Sequence, residues 1–328
     1  MSTKRPSRRE TIYEETTNTI ITHLEGNLEG WRRPWFNIEA DDGLARNPSR
    51  QDTPYKGVNQ LILSMTMMSP NNDFLRNQWL TYKQSGQLGG QVRKGSKSIP
   101  VTWYSTKYLT KDGKYVGKDR AKAMSREEKA AIGLQTVPML KVYNVFNVAQ
   151  VEGLDPSFYE PPKEVKHLTE WEKDDRAEAL IKATGAKVVE MAGNKAFYRP
   201  SSDTIHMPLR GQFNGAAEWY GTTLHELGHW TGAETRLNRD MGKPFGSNEY
   251  AREELTAELT SAFVCAHLGY SKLTTNNANY LKSWLGALKE DNKAIFKAAA
   301  AAQRASDFIL DAAGYTADAL GPDRGLSF

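Results

Sequence analysis

The sequence TLHELGHW, residues 223–230, decides the fold of the C-terminal half of this chain. It contains the pattern H-E-x-x-H, in which His225 and His229 stand four residues apart and Glu226 follows the first of them. On a helix, residues i and i+4 lie on one face about one turn apart, so both imidazoles can bind one metal ion. Glu226 can then reach the water that the ion activates and serve as general base. We therefore predict a helix over 213–232 with a metal centre, expecting Zn²⁺ and keeping another divalent ion such as Mn²⁺ as the alternative.

A third protein ligand is expected outside this stretch, because a catalytic zinc ion usually takes three and leaves a fourth position open. Gly232 stands where the extended metzincin pattern has a glycine, but Thr235 stands where that pattern needs its third histidine. A helix predicted over 250–268 supplies carboxylates instead. Glu254 and Glu258 stand four residues apart on it, and its other face is apolar.

This pair of glutamates resembles the arrangement in gluzincin-type peptidases, where a downstream helix gives a glutamate ligand and a second carboxylate orients a histidine. The resemblance implies that Glu254 binds the metal and that Glu258 accepts a hydrogen bond from His225. Glu253, one residue earlier, remains the competing ligand. The alternative interpretation is that these glutamates only form the solvated face of an amphipathic helix.

The composition indicates a protein with two domains. A chain of 328 residues is too long for one ordinary domain, and 39% hydrophobic residues suffice to bury cores. It contains no apolar run of about 18 residues, so no membrane-spanning helix is expected. The basic N-terminus leads into no apolar stretch, which argues against a secretory signal. Cys265 is the one cysteine, so a disulfide framework and a cysteine-based zinc site are excluded, and we expect a cytoplasmic protein.

We predict an α+β fold with an N-terminal domain over 1–155, a proline-rich linker over 156–165 and a mainly helical C-terminal domain over 166–328 that includes a small sheet. His206, in one strand of that sheet, is a candidate to line the cleft beside the metal. The charged segment 111–131 is expected as an excursion at the surface. The other expected elements are helices at 57–68, 79–88, 166–184, 275–290 and 292–313, and strands at 98–104, 139–151, 186–191, 195–199 and 203–208.

The charge is distributed unevenly between the two halves. Residues 1–150 hold 23 Lys and Arg against 14 Asp and Glu, a net charge of +9, whereas residues 151–328 have a net charge of −5. Basic halves often face polyanions, because each neutralised phosphate releases condensed counterions. A merely solvated basic surface is the alternative interpretation.

Aromatic residues alternate with these basic residues over 31–104, a combination typical of single-stranded DNA binding. Bases stack on aromatic faces while basic side chains follow the phosphates. No recognition helix for duplex DNA is evident. Tryptophans such as Trp79 and Trp103 fit a hydrophobic core equally well. The candidate DNA-binding residues are Trp31, Arg32, Arg33, Trp35, Tyr55, Lys56, Asn59, Trp79, Lys83, Arg93, Lys94 and Lys97.

Several longer motifs make the sequence resemble a known family. The N-terminal half is similar to the N-terminal domain of ArdC-type antirestriction proteins, and related domains occur in plasmid primases of the TraC type. The C-terminal half is similar to the zincin-like metallopeptidase domain of that family, including the TLHE motif and the Glu254/Glu258 pair. The N-terminal motifs are WRRPW (31–35), PYKGVN (54–59), WLTYKQ (79–84), LGGQVRKG (88–95) and VYNVFN (142–147).

The resemblance covers about residues 10 to 313 and implies a protein encoded by a plasmid or phage. It implies that the protein binds incoming single-stranded DNA and shields it from host restriction. The competing function is a metallopeptidase that cleaves a host protein, such as a restriction enzyme, with DNA only as a tether. A primase-associated DNA-binding protein with an inactive zincin domain is a further alternative, although Glu226 argues against a purely structural metal. The segment 105–137 departs from the family and leaves open how the N-terminal sheet is completed.

Overall fold

The structure, a computed structural model, describes residues 8–25, 43–67, 72–161, 174–241, 247–269 and 278–315. In these ranges the chain forms two α+β domains, as predicted. The helices are α1 (Arg8–Glu25), α2 (Val58–Met67), α3 (Tyr82–Gln87), α4 (Lys118–Ala123), α5 (Arg126–Ala131), α6 (Asp175–Ala183), α7 (Ala216–Trp230), α8 (Asn248–Leu268), α9 (Ala278–Glu290) and α10 (Ala294–Ala312). The strands are β1 (Arg46–Asn47), β2 (Thr53–Pro54), β3 (Trp79–Thr81), β4 (Gln91–Val92), β5 (Ile99–Leu109), β6 (Tyr115–Val116), β7 (Gln135–Asn147), β8 (Val151–Glu152), β9 (Lys187–Met191), β10 (Phe197–Arg199) and β11 (Thr204–Pro208).

The N-terminal domain is built on an antiparallel sheet with the strand order β3-β7-β5-β6. Its long strands, β5 and β7, pair in one register from Ile99 opposite Val145 to Leu109 opposite Gln135. The segment 105–137 is therefore the outer part of this hairpin, with β6, α4 and α5 at its tip. Charged and exposed residues obscure the period-2 alternation there. The sequence therefore predicted that the first strand ends at 104 and that the second begins only at 139, whereas β5 continues to Leu109 and β7 begins at Gln135.

The helix predicted over 79–88 is wrong at its N-terminal end. Residues 79–81 instead form β3, because they pair with 145–147 of β7. The helix α3 begins only after Thr81, whose hydroxyl accepts a hydrogen bond from the Gln84 backbone N–H. The Gln84 side chain in turn accepts from the Thr81 backbone N–H, which completes a capping box.

The C-terminal sheet has the order β10-β11-β9, so β11 is its central strand. It runs antiparallel to β10 and parallel to β9. His206 lies on β11, and its ring stacks on Phe197 with 4.7 Å between the ring centroids. His206 thus lies on the central strand and not on an edge of this sheet, and its place beside the metal stays a prediction.

The two domains share a hydrophobic core. Tyr13, Ile20 and Leu24 of α1 and Leu61 of α2 are buried in one cluster with residues of α8, α9 and α10. Two long-range hydrogen bonds cross the same boundary: the Thr17 hydroxyl donates to the Asn292 carbonyl at 2.7 Å, and the Gly57 N–H donates to the Gln303 side chain at 3.0 Å. The boundary near 156–165 stays a prediction, but separating the halves there exposes this apolar surface.

Helices α7 and α8 approach each other closely at Gly228. A methyl group at this position would lie 2.9 Å from the Cα of Ala257 and 3.2 Å from its carbonyl oxygen. About two turns earlier on α7, the Gly221 carbonyl accepts a hydrogen bond of 2.8 Å from the Ser261 hydroxyl of α8. Small residues thus let the two backbones touch and bring the H-E-x-x-H face of α7 against α8.

We predict that Gly228→Ala destabilises the protein by roughly 1–3 kcal/mol, because the neighbouring atom is backbone and cannot rotate away. The same substitution should lower metal content, since the two helices must move apart. The measurement is the free energy of unfolding, together with elemental analysis. Gly286→Ala is the matched control: Gly286 is an exposed residue inside α9, and its Cβ would meet no atom within 4 Å. A Gly228→Ala protein as stable and as metal-rich as this control contradicts the close-contact interpretation.

Candidate metal centre

Three side chains from α7 and α8 converge on one point. The Nε2 atom of His225 lies 3.5 Å from Oε2 of Glu254, and the Nε2 atom of His229 lies 3.5 Å from Oε1 of the same carboxylate. The two imidazole rings stand edge to face with 4.9 Å between their centroids. The candidate donor atoms of the three residues all lie within 4.8 Å of one another.

This donor set fits a divalent ion of the zinc type. Two imidazole nitrogens and one carboxylate are a known ligand combination for catalytic Zn²⁺, with metal–ligand distances of about 2.0–2.2 Å. Donors at about 2.1 Å in a tetrahedron stand about 3.4 Å apart, close to the two observed separations of 3.5 Å. His225, His229 and Glu254 are therefore the residues that would hold the ion, as the sequence predicted.

Each imidazole contacts a second carboxylate through its other nitrogen. Nδ1 of His225 lies 3.4 Å from Oε2 of Glu258, and Nδ1 of His229 lies 3.1 Å from Oε1 of Glu253. Such contacts fix the orientation and tautomer of metal-binding histidines. The Glu258 contact is the one that the sequence predicted. Glu253, the competing candidate ligand, lies instead behind His229, on the nitrogen that faces away from Glu254.

Arg239 holds Glu253 in place, and no motif in the sequence predicted this contact. Its guanidinium donates to Oε2 of Glu253 at 3.0 Å and to Oε1 at 2.8 Å. It also donates to the Thr231 hydroxyl and to the Gly228 carbonyl, both at the C-terminal end of α7. The chain after α7 folds back to bring it there, since the Arg239 N–H donates to the Gly232 carbonyl. A Cβ on Gly232 would collide with Met241 and lie 2.9 Å from the Arg239 guanidinium.

Glu226 differs from the other carboxylates of the site. It is only 7% exposed, and among the described residues no side chain forms a hydrogen bond or ion pair with it. The carboxylates of Glu253, Glu254 and Glu258 all contact imidazoles. A buried carboxylate without a protein partner, next to the donors of an ion, is available to accept a proton from a reacting water.

The charges of the site favour a cation. Four carboxylates surround two imidazoles and the Arg239 guanidinium, which leaves three negative charges when both imidazoles are neutral. Burial on its own lowers the pKa of both histidines, but the adjacent carboxylates outweigh it. Glu254 and Glu258 raise the pKa of His225 to about 9, and Glu253 and Glu254 raise that of His229 to about 10. Without an ion, the imidazoles of His225 and His229 therefore carry protons that a bound ion would replace.

The candidate DNA-binding residues have more varied positions. Trp31, Arg32, Arg33 and Trp35 lie outside the described residues. Lys56, Lys83, Arg93, Lys94 and Lys97 are exposed on the N-terminal domain. Lys56 forms an ion pair of 3.5 Å with Asp307, and the Arg93 guanidinium donates to the Ala149 carbonyl.

Two aromatic candidates are core residues instead. The prediction that Trp79 stacks on a base is wrong: its ring is fully buried, and its indole N–H donates to the Asn77 side chain at 2.8 Å. Tyr55 packs against the same cluster, and its hydroxyl donates to the Trp79 carbonyl. Trp79 thus lies where the alternative interpretation, a core residue, placed it.

The Asn59 side chain also forms its hydrogen bonds within the protein. Its amide nitrogen donates to the Thr102 carbonyl at 2.7 Å, and its amide oxygen accepts from the Thr102 N–H at 2.8 Å. The side chain therefore pairs with the backbone of β5 as a neighbouring strand would. Both polar atoms of the amide are thus engaged within the fold, and a contact of Asn59 with DNA stays a prediction.

Comparison with known proteins agrees with this architecture. Residues 10–146 match the family model for the N-terminal domain of anti-restriction factor ArdC, and residues 175–301 match that for a zincin-like metallopeptidase. The metal-free crystal structure of antirestriction ArdC protein from plasmid R388 superposes with a TM-score of 0.73 at 32% identity, covering 93% of this chain and 98% of that chain. The Mn(II)-bound structure of that protein gives a TM-score of 0.68 at 34% identity, covering 92% and 97%.

Relatives are also found among longer proteins. DNA primase TraC of Escherichia coli is 38% identical over 300 residues, which are 91% of this chain but 27% of that protein. A second Escherichia coli DNA primase TraC is 38% identical over 301 residues, 20% of its length. The chain thus spans about a quarter or a fifth of these two relatives. Protein y4eC of Sinorhizobium fredii (strain NBRC 101917 / NGR234), which is uncharacterized, is 36% identical over 302 residues and matched over 91% of both chains.

The fold and the site define a class of protein: an N-terminal α+β domain joined to a zincin-like metallopeptidase domain, with the metal donors on α7 and α8. Within that class, the chain belongs to the ArdC family of antirestriction proteins. In the described part of the chain, no helix combines the length and the apolarity needed to cross a bilayer.

We predict that variants of the six acidic and imidazole positions separate into three groups by metal content. His225→Ala, His229→Ala and Glu254→Ala should lose the ion, because each removes a donor. Glu226→Gln should retain a full equivalent, since Glu226 contacts no donor. Glu253→Gln and Glu258→Gln should weaken binding roughly 10–100-fold through a less well oriented imidazole. Elemental analysis and chelator competition measure this. Retention of metal by Glu254→Ala together with its loss in Glu253→Ala would show that Glu253 is the ligand.

We predict that metal affinity rises with pH between about 6 and 9. Because the pKa values of His225 and His229 are raised to about 9 and about 10, both imidazoles are protonated near pH 7 in the metal-free protein. The ion must displace those protons, so the dissociation constant should fall by about tenfold or more per pH unit. Calorimetry of Zn²⁺ binding in buffers of different ionisation enthalpy counts the released protons. Binding near pH 7 without proton release contradicts the charges assigned to this site.

Proposed function

We propose that this protein is an antirestriction factor of a mobile element, acting in the cytoplasm on DNA that enters the cell, as in plasmid conjugation. It binds the incoming single strand and shields it from host restriction enzymes. Membership of the ArdC family supports this function, as does the net charge of +9 on residues 1–150. The observation that carries the proposal is a group of exposed cations on the N-terminal domain.

That group consists of Lys83, Arg93, Lys94 and Lys97, of which the last three lie in and beside the turn after β4. All four are exposed, and in the described ranges none forms a salt bridge. The turn is fixed to the sheet, because the Arg93 N–H donates to the Gln150 carbonyl and the Gln150 side chain donates to the Lys97 carbonyl. Unpaired cations on a fixed backbone suit contact with phosphates without sequence preference.

The metal centre supports a second function, hydrolysis of a peptide bond. When bound, a zinc-type ion lowers the pKa of a coordinated water and polarises a carbonyl group. The protein groups then have distinct tasks: Glu226 accepts the proton of the attacking water, and Glu253 and Glu258 keep His229 and His225 in place. The side chains of the two histidine donors are partly exposed, 18% for His225 and 15% for His229. A substrate can therefore approach the site from solvent. A host restriction enzyme or another host protein would be the substrate.

These two functions make different predictions for one experiment. We predict that the fourfold variant Lys83→Ala/Arg93→Ala/Lys94→Ala/Lys97→Ala loses most single-stranded DNA affinity and loses protection of incoming DNA in a conjugation assay. Glu226→Gln should keep wild-type DNA affinity, because it lies in the other domain. If shielding is the mechanism, Glu226→Gln also keeps protection.

The opposite result has a definite meaning. Loss of protection in Glu226→Gln, with metal content and DNA affinity intact, would show that cleavage of a host protein is the main action and that DNA serves as a tether. A wild-type protein that binds single-stranded and double-stranded oligonucleotides equally at two salt concentrations would overturn the single-strand proposal itself.

A further inference from the structure

A pocket of about 390 Å³ lies beside β8 in the N-terminal domain and is called the β8 pocket here. Its apolar lining includes Leu75, Val151, Phe158 and Tyr159. Leu75 is 57% exposed and Tyr159 is 38% exposed, so the mouth of the pocket opens to solvent. Ligand pockets in proteins measure about 300–1,000 Å³, so the β8 pocket can hold a small ligand or one unit of a polymer.

Hydrogen bonds fix the lining of the pocket. The Tyr159 hydroxyl donates to the Val151 carbonyl at 2.7 Å and accepts from the Leu154 N–H at 3.1 Å. The Arg76 guanidinium donates to the Ser157 carbonyl at 3.3 Å, which joins the two segments that carry the apolar lining. The Tyr159 ring is thus held in place by the protein itself.

The charged side chains that line the pocket balance one another. Asp73 and Glu152 contribute two negative charges, and Arg76 and Arg93 contribute two positive charges. A balanced pocket has no net attraction for a free anion, but its carboxylates can accept hydrogen bonds from a neutral ligand. In the described ranges neither carboxylate forms a hydrogen bond or an ion pair. The lining therefore suits a neutral, flat group with an apolar face and a polar edge.

Arg93 connects the pocket to the cations that we propose contact DNA. It belongs to the group with Lys83, Lys94 and Lys97, and it also lines the β8 pocket. Its guanidinium donates to the Ala149 carbonyl, which leaves further N–H groups for a ligand. No carboxylate in the described part of the chain forms an ion pair with it. A strand whose phosphates follow the turn after β4 therefore passes the pocket.

We propose that the β8 pocket receives one unpaired base of the bound single strand. The ring of the base lies against Tyr159, and Arg93 pairs with the neighbouring phosphate. The polar edge of the base faces Asp73 and Glu152. This inference rests on the proposed function and deepens it, because it adds a base contact to the phosphate contacts. A base that is stacked and paired in a duplex cannot enter a pocket, so the same contact produces a preference for single strands.

An abasic strand separates base contact from phosphate contact. The full-length protein is titrated with a fluorescent single-stranded oligonucleotide and with an abasic strand of the same length, which keeps the phosphates and lacks the bases. The wild type should bind the base-bearing strand more tightly. Tyr159→Ala should weaken binding of that strand by about 5-fold to 100-fold, as expected for the loss of one stacked base, and should leave binding of the abasic strand unchanged.

Two further variants serve as controls. Tyr159→Phe removes the hydroxyl contacts with Val151 and Leu154 but keeps the ring, so it should bind both strands nearly as the wild type does. Tyr115→Ala removes a tyrosine of the same domain that is 68% exposed and lies outside the pocket, so it should keep the wild-type affinity ratio of the two strands. The thermal unfolding midpoint and the metal content establish that each variant is folded.

The salt dependence tests the role of Arg93 separately. Arg93→Ala should weaken binding of both strands and lower the slope of log affinity against log salt by about 0.7, because it removes one phosphate contact. Tyr159→Ala should keep the wild-type slope, since it removes no charge. An unchanged slope in Arg93→Ala would overturn the phosphate contact assigned to this side chain.

The remaining outcomes distinguish the pocket from the proposed function. A wild-type affinity ratio in Tyr159→Ala, or equal weakening of both strands, would overturn the pocket proposal and leave the proposed function intact. Equal affinity of the wild type for base-bearing and abasic strands would do the same. Loss of protection in Tyr159→Ala with wild-type DNA affinities would assign the pocket to a protein partner instead. A wild-type protein without affinity for single strands would overturn the proposed function as well.

Discussion

The contact between Gly228 of α7 and Ala257 of α8 is the constraint on which the metal centre depends. An extra methyl group at residue 228 would lie 2.9 Å from a backbone atom of α8, so the two helices touch with no side chain between them. Only at this distance can one carboxylate, Glu254, lie 3.5 Å from the imidazoles of both His225 and His229. The site is thus a product of helix packing as much as of the H-E-x-x-H motif.

The same packing explains why the metal domain cannot be considered alone. Helix α8 places Leu255, Leu259 and Phe263 in the core shared with α1 and α2, and Val264 and Cys265 in the core around α7. A helix that is apolar on several sides is buried between other elements. The remaining face of α8 carries Glu253, Glu254 and Glu258. Since an ion that binds only the folded state stabilises it by mass action, metal binding at α8 also stabilises the docking of the N-terminal helices.

Local periodicity predicted the elements that form the site. The helix over 213–232 is observed as Ala216–Trp230, and the one over 250–268 as Asn248–Leu268, so Glu254 and Glu258 fall where their spacing placed them. Arg239 was missed because its role depends on a chain reversal after α7, which no short motif records. Glu253 was considered only as a ligand, because spacing alone does not reveal which imidazole nitrogen a carboxylate meets.

The DNA-binding residues were harder to predict, because aromatic and basic residues alternate in cores and at surfaces alike. Trp79 is fully buried in the core of the N-terminal domain, whereas Trp103 on β5 is half-buried, and nothing in their immediate sequence distinguishes them. Pairing between β5 and β7 makes the distinction, since it fixes which residues share a face. A charged segment such as 105–137 conceals that pairing from single-sequence patterns.

The most direct test of the central claim is anomalous diffraction at the zinc and manganese absorption edges from crystals of the metal-loaded protein. The account predicts one strong peak bounded by Nε2 of His225, Nε2 of His229 and the carboxylate of Glu254, at about 2.0–2.2 Å from each donor. A peak on Glu253, a peak that leaves out either histidine, or no peak between α7 and α8 would contradict it.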